Sequence, residues 1–291
     1  KEKCRALYQM GINRLSIGLQ STNDMELKTL GRIHSYEDFL NTYTWCREAG
    51  FQNINVDLMA ALPYQIVESY TTGLRKIIRL APEHISAYSL ILEEGTPFYQ
   101  KYNSGCYPLP DEEQERLMYR ETEQILAQAG YERYEISNYA KKGYACRHNL
   151  VYWQGGDYLG LGLGSSSYMD GVRFHNTTDL DTYVNQGAYV EDREELSVQA
   201  KMEEFMFLGL RVMAGVSGTE FEKRFGKTME DVYGDVLRKH EEEGLLQIER
   251  KEDRKEAAAA EPAKGKTNIE KVMLTTKGVD VSNYVFADFL L

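Results

Sequence analysis

The sequence predicts an α/β protein built on a parallel sheet, followed by a winged-helix-like α+β domain. Three observations lead there. The first hundred residues alternate helix and strand signals at a repeat of about 35 residues, as βα units that form a parallel sheet do. Two of the strands place polar side chains on one face, where parallel sheets usually carry apolar layers on both. The last ninety residues change character, to three helices and two short strands.

The elements follow in order. Lys1 to Met10 reads as the end of a helix closed by Gly11, and Arg14 to Gln20 as a strand. Asn23-x-x-Glu26 is a capping-box pattern that opens a short helix stopping near Gly31. Ser35-x-x-Asp38 opens a longer helix, in which Tyr36, Phe39, Leu40, Tyr43 and Cys46 recur at helical spacing until Gly50. Asn53 to Met59 is a strand. Glu68 to Leu80 is a helix with Leu74, Ile77 and Ile78 on one face, and Ile85 to Leu92 is another strand. A second segment begins after Gly95-Thr96-Pro97. It holds a linker at Pro108 to Pro110, a charged amphipathic helix from Asp111 to Ala129, and a strand from Tyr131 to Ile136. A Gly/Ser stretch runs from Gly155 to Ser167. Lys201 to Met213, a short helix capped by Ser217-x-x-Glu220, and Thr228 to Glu243 are the three late helices. Leu245 to Glu249 and Val272 to Thr276 are the two short strands of the wing, and Asp280 to Leu291 is a closing helix. Between those strands, Arg250 to Lys271 is a low-complexity piece expected to be a wing or an insertion.

The strand faces point to a ligand. Leu15, Ile17 and Leu19 share one face, while Arg14, Ser16, Gly18 and Gln20 share the other. In the next strand Ile54, Val56 and Leu58 oppose Asn53, Asn55 and Asp57. Gln20 and Asp57 stand near equivalent strand C-termini, the rim where α/β sheets and barrels bind ligands. Either residue alone is as well explained by capping the loop that follows. Together they favour a site.

Composition excludes several classes. The chain has 291 residues, with 34 Lys+Arg against 45 Asp+Glu, a net charge of −11. That balance disfavours nucleic acid or an anionic membrane as a general partner. It is sharpest in Thr228 to Glu243, the recognition-helix equivalent, where six acids stand against two bases and phosphate contact needs the opposite sign. A structural or partner-docking role suits this domain better. No apolar run is long enough for a membrane span, and the start lacks a signal-peptide core. Cys4, Cys46, Cys106 and Cys146 are scattered, so no zinc or iron–sulfur site is legible in their spacing and a reduced, cytoplasmic setting is expected.

Other motifs are weaker. Gly160, Gly162 and Gly164 do not make G-x-G-x-x-G, and a glycine strand permitting close backbone approach by a bulky partner is expected there. The five histidines include no H-E-x-x-H or close pair. His148 stands out, being preceded by Arg147 and followed by Tyr152 and Trp153. An imidazole can ligate haem iron, an Arg can pair with a propionate, and aromatic rings can cover a porphyrin. On the residues alone, a structural role for His148 ranks ahead.

A family resemblance covers nearly the whole chain. Gly11-Ile-Asn-Arg-Leu-Ser-Ile-Gly-Leu-Gln-Ser21, Leu30-Gly-Arg-Ile-His34, Asn55-Val-Asp-Leu-Met59, Leu62-Pro63, His84-Ile-Ser-Ala-Tyr-Ser-Leu90 and Gly95-Thr-Pro-Phe98 resemble consecutive blocks of radical S-adenosylmethionine enzymes related to oxygen-independent coproporphyrinogen III oxidase. Tyr134-Glu-Ile-Ser-Asn138 and His148-Asn-Leu-Val-Tyr-Trp153 resemble the haem chaperone, HemW-like branch. The resemblance implies a partial (β/α) barrel of radical SAM type with a C-terminal winged-helix-like α+β domain. It divides the chain into a partial barrel at 1–108, an extension carrying the HNLVYW segment at 109–198, and the winged-helix-like domain at 199–291. It implies S-adenosyl-L-methionine at the strand C-termini, with Gln20, Arg32 and Asp57 lining the site and Ile91 on the adenine side. It makes His148 a candidate haem contact.

The family opens with a CxxxCxxC loop that binds a 4Fe-4S cluster, and this sequence has none; Tyr64-Gln65 also replaces the commoner glycine-glutamine. The chain is therefore expected to be an N-terminally truncated piece, unable by itself to generate a 5′-deoxyadenosyl radical, with an open sheet edge that favours aggregation or a homodimer. The function implied is binding of haem and its delivery to haem-requiring client proteins. The alternatives are oxidative decarboxylation of coproporphyrinogen III in porphyrin biosynthesis, and a non-catalytic scaffold remnant.

Overall fold

Alternating apolar residues decide how the chain layers its sheet. In a computed structural model, which describes residues 1–187, 189–251 and 269–291, the chain divides into two compact units, Lys1–Ala145 and Cys146–Leu291.

The first unit runs α1 (Glu2–Gln9), β1 (Leu15–Gln20), α2 (Asp24–Thr29), α3 (Tyr36–Ala49), β2 (Ile54–Ala60), α4 (Val67–Arg79), β3 (His84–Ser89), α5 (Pro97–Asn103), α6 (Glu112–Gln128), β4 (Glu132–Glu135) and β5 (Asn138–Ala140). The five strands form one sheet in the order β1-β2-β3-β5-β4. The β1–β2 and β2–β3 pairs are parallel, and the β4–β5 hairpin joins β3 antiparallel. The sheet is thus mixed and, over the described residues, does not close into a barrel. Leu19, Ile54, Val56, Leu58, Ile85 and Ala87 pack with Phe39, Tyr43 and Cys46 of α3, Leu74 and Ile77 of α4, and Ile125 and Leu126 of α6. Full burial of each large side chain contributes about 1.5–3 kcal/mol.

The caps show why the helices start where they do. Ser35 and Asp38 form the expected reciprocal box, with Ser35 N donating to Asp38 Oδ2 at 2.9 Å and Asp38 N to Ser35 Oγ at 3.1 Å. Gly50 ends α3 at φ 111°, a left-handed position that favours glycine. The Asn23 box departs from expectation. Asn23 Oδ1 caps Met25 N at 2.9 Å, but Asn23 N donates to Ser21 Oγ and Glu26 turns inward. Gly95-Thr96-Pro97, read as a segment boundary, also caps α5: Thr96 Oγ1 accepts from Tyr99 N at 3.2 Å and Pro97 occupies the first turn.

The second unit runs α7 (Arg147–Trp153), β6 (Ser166–Met169), β7 (Val172–Asn176), α8 (Leu180–Gln186), β8 (Val190–Glu195), α9 (Val198–Gly209), β9 (Val216–Ser217), α10 (Gly218–Phe225), α11 (Met229–Glu242), β10 (Leu246–Arg250), β11 (Ile269–Leu274), α12 (Thr276–Asp280) and α13 (Ser282–Ala287). β6, β7 and β8 make an antiparallel sheet that the sequence does not announce. The winged-helix-like reading gains a third strand: β9 pairs with β11 through Val216 and Val272, giving the order β10-β11-β9. Met206, Phe221, Tyr233, Leu237, Val272 and Phe289 are central to its core. The expected closing helix is shorter than Asp280 to Leu291: α13 covers Ser282–Ala287, and Val281, at φ −121° and ψ 32°, separates it from α12. Most of the low-complexity piece, residues 252–268, lies outside the described residues.

The expected glycine strand is a loop. Gly162 and Gly164 have φ of +109° and +64°, outside any strand conformation. Close backbone approach does occur, since a Cβ on Gly160 would stand 2.3 Å from the Ser166 carbonyl oxygen. The neighbour at Gly160 is the chain's own Ser165–Ser166 backbone.

Candidate functional site

The face of the first sheet opposite its apolar core is a polar surface with a strict register. Ser16, Asn55 and His84 stand in one row, Gly18, Asp57 and Ser86 in the next, and Met59 and Tyr88 nearer the strand C-termini. Buried polar groups are costly unless paired, and Asn55, His84 and Ser86 are paired. Asn55 Nδ2 donates to Ser16 Oγ at 2.7 Å and Asp57 Oδ1 at 2.6 Å. Asn55 Oδ1 accepts from His84 Nδ1 at 2.6 Å, while Ser86 Oγ, 3.2 Å from Asn55 Oδ1, donates to Asn138 Oδ1 at 2.7 Å. Tyr134 OH donates to His84 Nε2 at 2.9 Å. These partners fix a neutral imidazole with its proton on Nδ1. Burial, reinforced by the charge of Arg14, holds its pKa down to about 3. The network ends on Asp57, which also accepts from Ser16 Oγ at 3.2 Å.

At the rim the register shifts between Gly18 and Gln20, and Gln20 takes φ 72°. Its side chain folds back across Gly18. A Cβ on Gly18 would lie 2.9 Å from Gln20 Nε2 and 3.9 Å from Asp57 Oδ2. Gln20 Oε1 accepts from Tyr88 OH at 3.2 Å. Burial pushes the Tyr88 hydroxyl pKa up, Asp57 adds to the rise, and the Gln20 bond and the Arg32 charge oppose it. Gln20, Asp57 and Arg32 thus each act on the Tyr88 hydroxyl. Ile91, two residues past β3, is 80% exposed. Chemically, the rim offers a donor and an acceptor before an absent side chain, an exposed cation, and an apolar side chain in water. These suit a diol, a carboxylate and a flat apolar ring respectively.

The rim is anchored from behind by Glu26, only 6% exposed. Its carboxylate accepts from Ser21 Oγ at 2.6 Å, Gln65 Nε2 at 2.9 Å and Ser69 Oγ at 3.4 Å, tying the loops after β1 and β2 to α4. Gln65, which follows Tyr64 and matches the glutamine of the family pattern, thus holds this knot. Replacing Glu26 by Leu is expected to cost about 2–4 kcal/mol, because it removes the carboxylate from two buried donors, Ser21 Oγ and Gln65 Nε2. Urea unfolding of both chains checks this; a difference under about 0.5 kcal/mol, ordinary for a surface change, would contradict it.

His148 lies in the second unit, in the first turn of α7, and is exposed. Tyr152, one turn on, meets it: Tyr152 OH and His148 Nε2 are 3.0 Å apart, with ring centroids at 4.8 Å. Tyr152 in turn packs edge-on to Tyr158 at 4.6 Å. Trp153 is placed differently, beneath the Arg211 guanidinium at 4.4 Å. The segment thus brings together a histidine and a tyrosine, while its tryptophan packs on Arg211. Among the described residues, no group of three or more His, Cys, Asp or Glu is arranged to hold a metal ion. The described residues do not furnish the donor set of a 4Fe-4S cluster. Also among them, no helix is long and apolar enough to cross a membrane.

Sequence reasoning missed His84, Tyr88 and Tyr134. His84, Ser86 and Tyr88 alternate along β3 as Ser16, Gly18 and Gln20 do along β1, so the face argument applied to the third strand would have found two of them.

Residues 1–77 match the Radical SAM superfamily and residues 196–252 the HemN C-terminal domain. The chain is 34% identical over 293 residues to Heme chaperone HemW of Lactococcus lactis, covering 100% of this chain and 72% of that protein. It is 37% identical over 249 residues to Heme chaperone HemW of Bacillus subtilis, covering 84% of this chain and 66% of that protein. Among solved structures, the HemN coproporphyrinogen III oxidase of Escherichia coli, a radical SAM enzyme, superposes with a TM-score of 0.77 at 19% identity, over 99% of this chain and 66% of that one. That likeness shows the fold.

Proposed function

We propose a function from one premise: this chain belongs to the HemW family of the radical SAM superfamily. Its first unit binds S-adenosylmethionine at the rim, and its second contributes a haem contact at His148. The whole protein binds haem and passes it to haem-requiring client proteins. S-adenosylmethionine, when bound, supplies the reactive sulfonium of the superfamily's chemistry. The residues of this chain bind and orient it. Gln20 and Asp57 take the ribose hydroxyls, Arg32 the methionyl carboxylate, and Ile91 the adenine face.

The rim supports the first part, because the Gln20 amide and the Asp57 carboxylate converge over Gly18, where a side chain would meet both. The observation that carries the haem part is on α7. An exposed imidazole lies beside a tyrosine hydroxyl that can rotate away, leaving Nε2 to face a ligand. Haem titration followed in the Soret band tests it. The wild-type chain is expected to bind haem, and His148→Ala to bind it at least about tenfold more weakly, a loss of about 1.4 kcal/mol. Equal affinity in the two chains removes His148 from the site. No Soret change in either removes haem from this chain.

A further inference from the structure

We infer that Tyr88 is a positioning residue that sets the Gln20 amide, so that the rim selects a ligand bearing an intact ribose diol. The inference rests on the S-adenosylmethionine reading and adds a residue and a selectivity to it.

A primary amide is ambiguous in recognition, since rotation by half a turn exchanges an acceptor for two donors. Two neighbours remove that ambiguity here. Tyr88 OH lies 3.2 Å from Gln20 Oε1 and donates to it. On the other side Gln20 Nε2 and Asp57 Oδ2 both face Gly18, 2.9 and 3.9 Å from where its Cβ would stand. The opposite rotamer would bring the amide oxygen toward a carboxylate, acceptor against acceptor. Asp57 is itself held by Asn55 Nδ2 at 2.6 Å. The amide nitrogen and the carboxylate thus present a donor and an acceptor side by side, before a residue that has no side chain. A vicinal diol, in which each hydroxyl both donates and accepts, matches that pair.

Position explains why β3 supplies the tyrosine. Tyr88 pairs in register with Met59 on β2, so its hydroxyl reaches over the middle strand to the end of β1. There Gln20 sits at φ 72°, a region that residues other than glycine rarely adopt and that persists where its surroundings enforce it. The Tyr88 bond holds the far end of that strained residue. Because burial keeps the Tyr88 proton on, the hydroxyl remains a donor across the physiological range.

The test is calorimetric titration of this chain with S-adenosylhomocysteine and with its 2′-deoxy analogue. Tyr88→Phe keeps the ring and removes only the hydroxyl. It is expected to weaken S-adenosylhomocysteine binding roughly three- to tenfold, the worth of one oriented hydrogen bond. Binding of the deoxy analogue should change less than about twofold, within the non-additivity of neighbouring sites. A purely structural tyrosine would weaken both ligands alike, and that result overturns the proposal, as does unchanged binding of both. Gln20→Glu provides a second arm, since a carboxylate cannot donate. It is expected to lose the same selectivity, and retained selectivity overturns the proposal. Failure of the wild-type chain to bind S-adenosylhomocysteine at all would remove the nucleoside reading itself, and the inference with it.

Discussion

Acidification from pH 6.5 toward pH 4 is expected to remove several kcal/mol of stability from the first unit, and His84→Gln to abolish most of that dependence. The imidazole is fully buried, with Nδ1 committed to Asn55 and Nε2 to Tyr134. Its pKa in the fold lies near 3, against the ordinary value of 6.5. Between those values the unfolded chain binds one more proton than the folded one. Stability therefore rises with pH through that window and falls as pH drops, by up to about 1.4 kcal/mol per pH unit. The contribution is complete above pH 6.5 and lost toward pH 3. Over two and a half units it amounts to roughly 3 kcal/mol, a large share of a domain's usual 5–15 kcal/mol. Glutamine does not titrate, so His84→Gln should start lower at pH 7 and then follow a flatter curve. Urea unfolding followed by Trp45 fluorescence in a Trp153→Phe background reads the first unit alone. Parallel curves for the two chains would show that His84 is not the group responsible.

His84 also shows where the sequence stops speaking. The first unit's framework is legible because its signals are local: a Ser35–Asp38 box, a glycine at the end of α3, and an apolar stripe at helical spacing. Gln20 and Asp57 are legible because polar side chains on a parallel sheet need a reason. The state of His84 is not, because its partners Asn55 and Tyr134 are far away in sequence and meet it only through strand register and the β4–β5 hairpin. Glu26 misleads for a related reason. Its spacing from Asn23 suits a capping box, yet Ser21, Gln65 and Ser69 compete for the same carboxylate and win it. In the second unit, β8 is Val-Glu-Asp-Arg-Glu-Glu and almost wholly exposed, so no apolar alternation announces it. The HNLVYW segment was legible as a motif. Only its helical conformation shows that the His and the Tyr meet while the Trp packs under Arg211.

Gly18→Val is expected to abolish nucleoside binding while leaving the fold as stable as before. The two halves of this expectation have separate causes. Gly18 is an exposed strand residue without a positive φ, so a β-branched side chain suits its backbone and its propensity favours the strand. The neighbour that must yield is the end of the Gln20 side chain, which can swing away more readily than backbone. Stability should therefore stay within about 1 kcal/mol of the wild-type chain. Binding has no such escape. The isopropyl group occupies the space before Asp57 where a diol would sit, and it expels the Gln20 amide that would donate to that diol. Losing both contacts, and leaving a carboxylate partly covered by hydrocarbon, predicts a loss of at least about thirtyfold, or 2 kcal/mol. Thermal unfolding and S-adenosylhomocysteine titration on one preparation read the two halves together. Wild-type affinity in Gly18→Val would place the nucleoside elsewhere on the sheet. Lost affinity with a collapsed melting temperature would show that Gly18 serves the fold rather than the site. A folded chain with an empty rim is the outcome that ties the cradle over Gly18 to the ligand.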